Sequence, residues 1–361
     1  MIELIRVTKD FGKTHALRNV SITIPDGQVT VLIGPSGCGK TTFLRLINRL
    51  VTPIAGQILI DGKNSADIKA VDLRRGIGYA IQGVGLFPHW TVAENIATVP
   101  KLMGWKRERI DRRVQELLEL VGLSPQDFAS RYPAELSGGQ AQRVGVARAL
   151  AADPPILLMD EPFGAVDPLT RIRLQNEFMR IQSRLNKTVI FVTHDLEEAI
   201  RLADRIAIMN SGEIVQYDTP ENILSKPANK YVHDFVGTDR ALKRLSRFKV
   251  SDFIKESPSI KLSDVNKVPP HGPRFYWVTG DEGKFKGWFD LGMLNRADPS
   301  SAVVIPEDDF ALPQDASLRQ ALSIMLGQGV RALPVVDRSG ILLGEVTLAD
   351  VEKATADDKT A

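Results

Sequence analysis

The stretch that decides the fold is Val29-Thr-Val-Leu-Ile-Gly34-Pro-Ser-Gly-Cys-Gly-Lys40-Thr41-Thr42. Val29–Ile33 is an unbroken, mostly apolar run bounded by Gly27 and Gly34. Such a run fits a strand of a sheet covered on both faces. Beyond the glycines, Thr41–Leu50 carries apolar residues at helical spacing. Strand, glycine-rich loop, helix is the context that makes G-x-x-x-x-G-K-[ST] a phosphate loop. Main-chain N–H groups from Gly34, Ser36, Gly37, Cys38 and Gly39, with the helix N-terminus, form an anion site there. Lys40 neutralises β/γ-phosphate charge, and Thr41 with its neighbour Thr42 follows at the helix start, the Thr41 hydroxyl placed to ligate Mg²⁺. Cys38 reads as a small packing residue rather than a redox sensor.

Moving outward, Ile156-Leu-Leu-Met-Asp160-Glu161 is a second buried-strand candidate, and it ends in two carboxylates. Carboxylates at a strand's C-terminal edge face the crevice where α/β sheets bind ligands. Asp160 is placed to hold Mg²⁺ and Glu161 to orient or deprotonate an attacking water. Val189–Val192 is a third such strand, and helices at Leu169–Leu185 and Leu196–Ala203 separate and follow them. Strands alternating with helices indicate a mostly parallel sheet with helices on its faces. Short strands at Ile2–Val7 and Val20–Ile24 precede this core. From Pro88 to Leu150 the period is helical, clearest at Gln115–Val121 and Gln142–Leu150.

Composition narrows the classes. The chain has 361 residues, 43% hydrophobic and 25% charged, which suggests two or three globular domains. Its net charge is +2, from 46 basic and 44 acidic residues, so there is no electrostatic footprint for nucleic acid. One cysteine cannot staple a fold. Met1–Arg6 lacks the layout of a secretion signal, and no stretch approaches ~18 uninterrupted apolar residues. A cytosolic chain that serves membranes only as a bound partner is expected. Past Gly237 an internal repeat appears: Phe275–Leu294 matches Ala332–Val351, with Gly287 and Gly344 set 57 residues apart.

Leu136-Ser137-Gly138-Gly139-Gln140 opens a helix between the phosphate loop and the acidic strand. This pentapeptide, in that order with the other two motifs, resembles the signature of ATP-binding-cassette (ABC) ATPases. The resemblance implies an α/β fold: an ABC-type P-loop NTPase with a RecA-like core, an N-terminal antiparallel β subdomain and a helical subdomain. It implies that Gln82 contacts Mg²⁺ and that Asp167 reaches across a dimer, with Val166 where the family usually has leucine. His194 resembles the switch histidine on the γ-phosphate. Phe11 resembles the aromatic that stacks on adenine, where the family more often uses tyrosine. Two copies would face head to tail, each ATP lying between one phosphate loop and the partner's Ser137–Gln140.

Ile47–Leu50, Gly85–Pro100 and Gly237–Ser246 are closer still to the ATPase subunits of bacterial importers for glycine betaine, choline and carnitine. The C-terminal repeat is similar to the paired CBS domains, a smaller α+β module, that many of these subunits carry. The expected layout is a nucleotide-binding domain at 1–239 (helical subdomain about 88–150), a linker at 240–250, the CBS pair at 251–355 and a tail at 356–361. Thr347 and Asp350 keep the positions that hold an adenosyl ligand in CBS domains. The first copy has Asp290 and Met293 there and is degenerate. The pair is either a regulatory module with a bound nucleotide or a structural dimerisation module. Its aromatics, Phe275, Tyr276, Trp277, Trp288 and Phe289, read as strand core. Implied cofactors are ATP and Mg²⁺. Implied partners are a second ATPase subunit, transmembrane permease subunits and an extracytoplasmic substrate-binding protein, with this chain peripheral on the cytoplasmic face. Two rivals stay open: an exporter subunit or an importer ATPase for another small solute, such as an amino acid or a thiol-imidazole betaine, and a non-transport ABC ATPase.

Overall fold

The computed structural model describes residues 1–81, 83, 85–164, 166–269, 271–293, 302–306 and 310–356. The chain divides into two units, Met1–Val236 and Gly237–Ala361.

In the first unit a six-stranded sheet runs in the order Glu213–Asp218, Arg205–Asn210, Val29–Ile33, Thr188–Val192, Ile156–Asp160, Ile77–Ala80. All neighbours are parallel except the edge hairpin of Arg205–Asn210 with Glu213–Asp218. Alternation along the strands divides the core. Val31, Ile33, Leu157, Met159 and Phe191 pack against helices on one face. Leu32, Leu158, Ile190 and Val192 pack on the other, against the helix Lys40–Ile47 and an antiparallel sheet. Both faces are covered, which is why these strands read as apolar runs rather than as alternation.

That antiparallel sheet contains Ile2–Phe11 and Thr14–Ile24, each longer than its sequence reading. Their ladder shifts register between Leu4 and Val7, between Val7 and Lys9, and between Lys9 and Asp10. Each shift breaks the period of two on which strand reading depends, so the far half was invisible. The helix expected at Gln115–Val121 begins at Arg107. Ile110, Val114, Leu117 and Leu118 form its buried stripe, and the charged residues between them hid the first turns.

The second unit contains both copies of the repeat as hairpins in the same register. Phe275 pairs with Asp290, and Ala332 with Thr347. Each hairpin has a parallel neighbour, Ser259–Lys261 and Leu312–Pro313. The segments leading into the copies are exchanged. Val303–Val304, which precedes the second copy, pairs with the first, while Lys255, which precedes the first, bridges to Glu345 of the second. Gly287 and Gly344 sit at these crossings, where a Cβ would lie 2.1 Å from Val304 O and 2.3 Å from Lys255 O. The stretch 240–250, read as a linker, belongs to this unit. It forms the helix Arg240–Leu245, and Leu245 and Val250 are fully buried with Leu312, Leu318 and Leu333. Basic composition masked one apolar face. Among the repeat's aromatics Trp277 and Phe289 are core, but Phe275 is 51% exposed under the Arg274 guanidinium.

Two buried carboxylates hold the unit's strand ends. Arg274 donates to Asp290 at 3.2 and 3.3 Å, and Gly292 N adds a bond of 2.8 Å. Asp350 pairs with Lys255 and accepts from Thr347 N at 3.0 Å. The Arg274 bond holds the Asp290 carboxyl below its usual range. Burial opposes ionisation of Asp350, but the bonds from Lys255 and Thr347 outweigh it and lower its pKa as well. A folded pKa below the unfolded value of 3.8 gives stability that is present above that value and lost as pH falls through the folded one. The second unit therefore loses stability below about pH 4, and Lys255→Ala and Arg274→Ala each flatten that acid slope. Urea midpoints against pH, followed at Trp277 and Trp288 with Trp90 and Trp105 replaced by Phe, check this. An unchanged slope in both variants would refute it.

Candidate functional site

The phosphate loop turns from the end of Val29–Ile33 into the helix Lys40–Ile47. Gly39 caps that helix at φ +110°, where a Cβ would lie 2.3 Å from Ala16 O, so no side chain fits. No side chain caps the helix N-terminus, which leaves its first N–H groups to an anion. Lys40 is 7% exposed, and its Nζ donates to Gly34 O at 2.7 Å and Pro35 O at 3.0 Å. Cys38 is buried with its Sγ 3.8 Å from that ammonium, in the packing role expected of it. Ser36, Gly37, Gly39, Lys40, Thr41 and Thr42 line a cleft of about 360 Å³ with Phe11, Thr14, Ala16, Val192 and Glu161. Phe11 is 47% exposed at its edge. An aromatic that open packs no core, and the Lys9 Nζ lies over its ring, 5.0 Å from the centroid. Thr14 and Ala16 were missed from sequence, although both follow Phe11 closely on the hairpin.

The acidic strand arrives beside the loop. Thr41 Oγ1 donates to Asp160 Oδ1 at 3.4 Å, across 119 residues of chain. Asp160 is 2% exposed, and burial raises its pKa against the lowering bond from Thr41. A buried carboxylate beside a hydroxyl, with no ion-pair partner among the described residues, suits a bound cation. Among the described residues no three His, Cys, Asp or Glu side chains cluster as metal ligands. Mg²⁺ fits the pair regardless, because it takes one or two protein oxygens with phosphates and waters.

Glu161 follows with its backbone at φ +49°, and its N–H donates to Val192 O at 3.0 Å. His194 Nδ1 donates to Glu161 Oε1 at 3.2 Å, from an exposed ring just past the third strand. Gln82 lies outside the described residues.

The signature does not reach this cleft. Ser137 caps the helix Gly138–Leu150, its Oγ accepting from Gln140 N at 3.3 Å while Ser137 N donates to Gln140 Oε1 at 2.9 Å. Asp167 caps the helix Pro168–Leu185, accepting from Thr170 N at 3.0 Å. Ser137, Gly138 and Asp167 are exposed, and none of these residues lines the cleft. Val166 is buried within 3.7 Å of where a Gly139 Cβ would stand, so the Asp167 loop rests on the signature helix. Gln142 was missed altogether. It is 8% exposed and donates to Glu161 O at 2.9 Å. The available signal was a polar residue on the apolar face of that helix, between Ala141 and Val144.

A second groove, of about 330 Å³, lies beside the strand Ile77–Ala80. Phe87, Val99 and Tyr79 line it with Arg74, Arg75 and Arg148. Asn48, 6% exposed, lines it too, with an Oδ1 that has no hydrogen-bond partner among the described residues. In the second unit, Asp350 Oδ2 accepts from Thr347 Oγ1 at 2.5 Å and the same carboxylate pairs with Lys255, so both expected ligand positions are engaged by the chain itself.

Comparison with known proteins agrees with this geometry. The ABC transporter family matches residues 17–164, and the CBS domain family matches 302–357. The osmoprotectant import ATP-binding protein OsmV of Salmonella typhimurium is 45% identical over 96% of this chain and 94% of its own length. The glycine betaine/carnitine/choline transport ATP-binding protein OpuCA of Bacillus subtilis is 43% identical over 97% and 95%. The dimeric structure of a bacterial ABC transporter cassette matches with TM-score 0.57 and 36% identity, over 61% of this chain and 99% of that one. A post-hydrolysis dimer of the same cassette, bound to ADP and Pi, matches with TM-score 0.56 and 35% identity.

Proposed function

The chain belongs to the ATP-binding subunits of ABC transporters, and from that premise we propose that it is the motor of an importer for quaternary ammonium osmoprotectants. As a member of that family it binds and hydrolyses ATP. The observation that carries the reading is the half-built cleft. Phosphate loop and acidic strand meet through Thr41 and Asp160, while Ser137–Gln140 does not line the cleft. A second copy placed head to tail supplies the missing wall, and the dimeric cassettes it resembles support that assembly.

Each residue then has a task. Loop N–H groups and Lys40 hold the phosphates, Phe11 stacks on the base, and Thr41, Gln82 and Asp160 hold Mg²⁺, which when bound draws charge from the β- and γ-phosphates. Glu161 takes a proton from the attacking water, and His194 fixes the carboxylate through its Nδ1–H. The partner's Ser137–Gln140 presents its helix N-terminus to the γ-phosphate, and Asp167 lies at the same interface. Closure thus assembles the site, and hydrolysis releases it.

No helix among the described residues is long and apolar enough to cross a membrane, so translocation belongs to permease subunits. The arginine-lined groove at Phe87 and Asn48, next to the segment that follows Gln82, is their docking surface. An extracytoplasmic binding protein selects the cargo, and this chain works at the cytoplasmic face. For the C-terminal pair, Asp350 held by Lys255 supports a structural role over a bound regulatory nucleotide.

The cargo is tested by uptake of labelled glycine betaine, choline and carnitine in cells carrying the complete transporter. Saturable uptake of at least one, lost in Glu161→Gln, is the expected result. Absence of uptake for all three would discard the cargo and leave the motor in place, moving the reading to another small solute.

A further inference from the structure

We infer that Gln142 is a positioning residue for Glu161, and that through it the signature helix sets the geometry of the base. The inference rests on the reading of Glu161 as base and of Ser137–Gln140 as the clamp on the partner's nucleotide.

The need for such a residue follows from the strand. Asp160 and Glu161 are consecutive, and consecutive strand residues point to opposite faces. Yet Asp160 reaches Thr41 and Glu161 lines the same cleft. The left-handed backbone of Glu161, at φ +49°, breaks the alternation and brings both carboxylates to one side. Few residues with a Cβ adopt that conformation, and a glutamate held there depends on its surroundings.

Among the described residues, three hydrogen bonds hold the Glu161 main chain. Val192 O accepts from Glu161 N at 3.0 Å, which ties the residue to the neighbouring strand. Gly164 N donates to Glu161 O at 3.1 Å and closes the local turn. Gln142 Nε2 donates to the same oxygen at 2.9 Å, from 19 residues away in sequence. Of the three, only the last comes from the signature helix. Gln142 lies little more than a turn past Ser137 in one continuous helix, Gly138–Leu150. Any shift of that helix when its N-terminus engages the partner's nucleotide is carried by a buried amide to the main chain of the base. The signature helix thereby bears on the aim of the Glu161 carboxylate through one buried side chain.

The full-length chain tests this with Gln142→Met, which keeps the volume and removes the donor, beside Gln142→Ala and Gln142→Glu. All three lower kcat, by about ten- to hundredfold, as expected for misplacing a reacting group. KM for ATP stays within about twofold, because the phosphate loop is untouched. Added to Glu161→Gln, Gln142→Met causes no further loss, since it acts through the base that is already gone. Wild-type kcat in Gln142→Met with unchanged thermal stability would reduce Gln142 to a space-filler and overturn the inference. A further loss in the double variant would overturn it too. Failure of the base reading shows separately, as near-normal turnover of Glu161→Gln alone.

Discussion

Glu161→Gln binds ATP, closes into a dimer, and turns over ~10²–10⁴-fold more slowly than wild type, the range for loss of a general base. The substitution is close to isosteric, so the neighbours are spared. The amide still meets His194, and the main-chain bonds from Gly164 and Gln142 to Glu161 O are unaffected. What disappears is the ability to take a proton from water. Binding is expected to persist because the phosphate loop and Lys40 are left unchanged. Closure by ATP therefore proceeds and its reversal stalls. Phosphate release measures the first effect, and elution volume with and without ATP measures the second. Turnover near the wild-type rate would remove Glu161 from its role, and a monomer in ATP would remove the head-to-tail assembly.

Lys40→Ala loses ATP affinity by about 10²-fold or more, because a buried cation facing phosphate is a charge-assisted contact of the strong class. The geometry makes the loss double. Lys40 Nζ is the phosphate partner, and it also ties Gly34 O and Pro35 O together inside the loop. Its removal frees the loop as well as the charge, so Lys40→Arg, bulkier and forked, does not restore binding in a site only 7% exposed. Titration with a fluorescent ATP analogue gives the affinity, and the urea midpoint gives the fold. Near-normal affinity in Lys40→Ala would place the phosphates elsewhere. Lost affinity together with lost folding would make Lys40 a structural residue.

The two variants also separate what the chain displays locally from what folding assembles. The phosphate loop could be read because strand, turn and helix are contiguous, and G-x-x-x-x-G-K-T needs no distant residue for its meaning. The acidic strand could be read because α/β sheets bind ligands beyond the carboxyl ends of their strands, and the phosphate loop had already marked such a sheet. The far half of the first hairpin could not, because its bulges erase the period of two. The stretch Arg240–Leu245 read as helix-like, but its place could not be read: its basic residues suggested a linker, while Leu245 went into a core formed by Leu312, Leu318 and Leu333.

By itself, then, the sequence determined the chemistry: a nucleotide loop, a carboxylate pair and a signature in fixed order, with a repeated module behind them. Each is short, and local backbone geometry suffices to shape it. Tertiary structure alone decided which of these groups share a cleft. It joined Thr41 to Asp160, turned Glu161 to their side, and left Ser137–Gln140 outside that cleft. It also gave Gln142 to Glu161 and Lys255 to Asp350. These pairings link residues far apart in the chain, and nothing in local spacing records a contact that exists only once both faces of the sheet have packed.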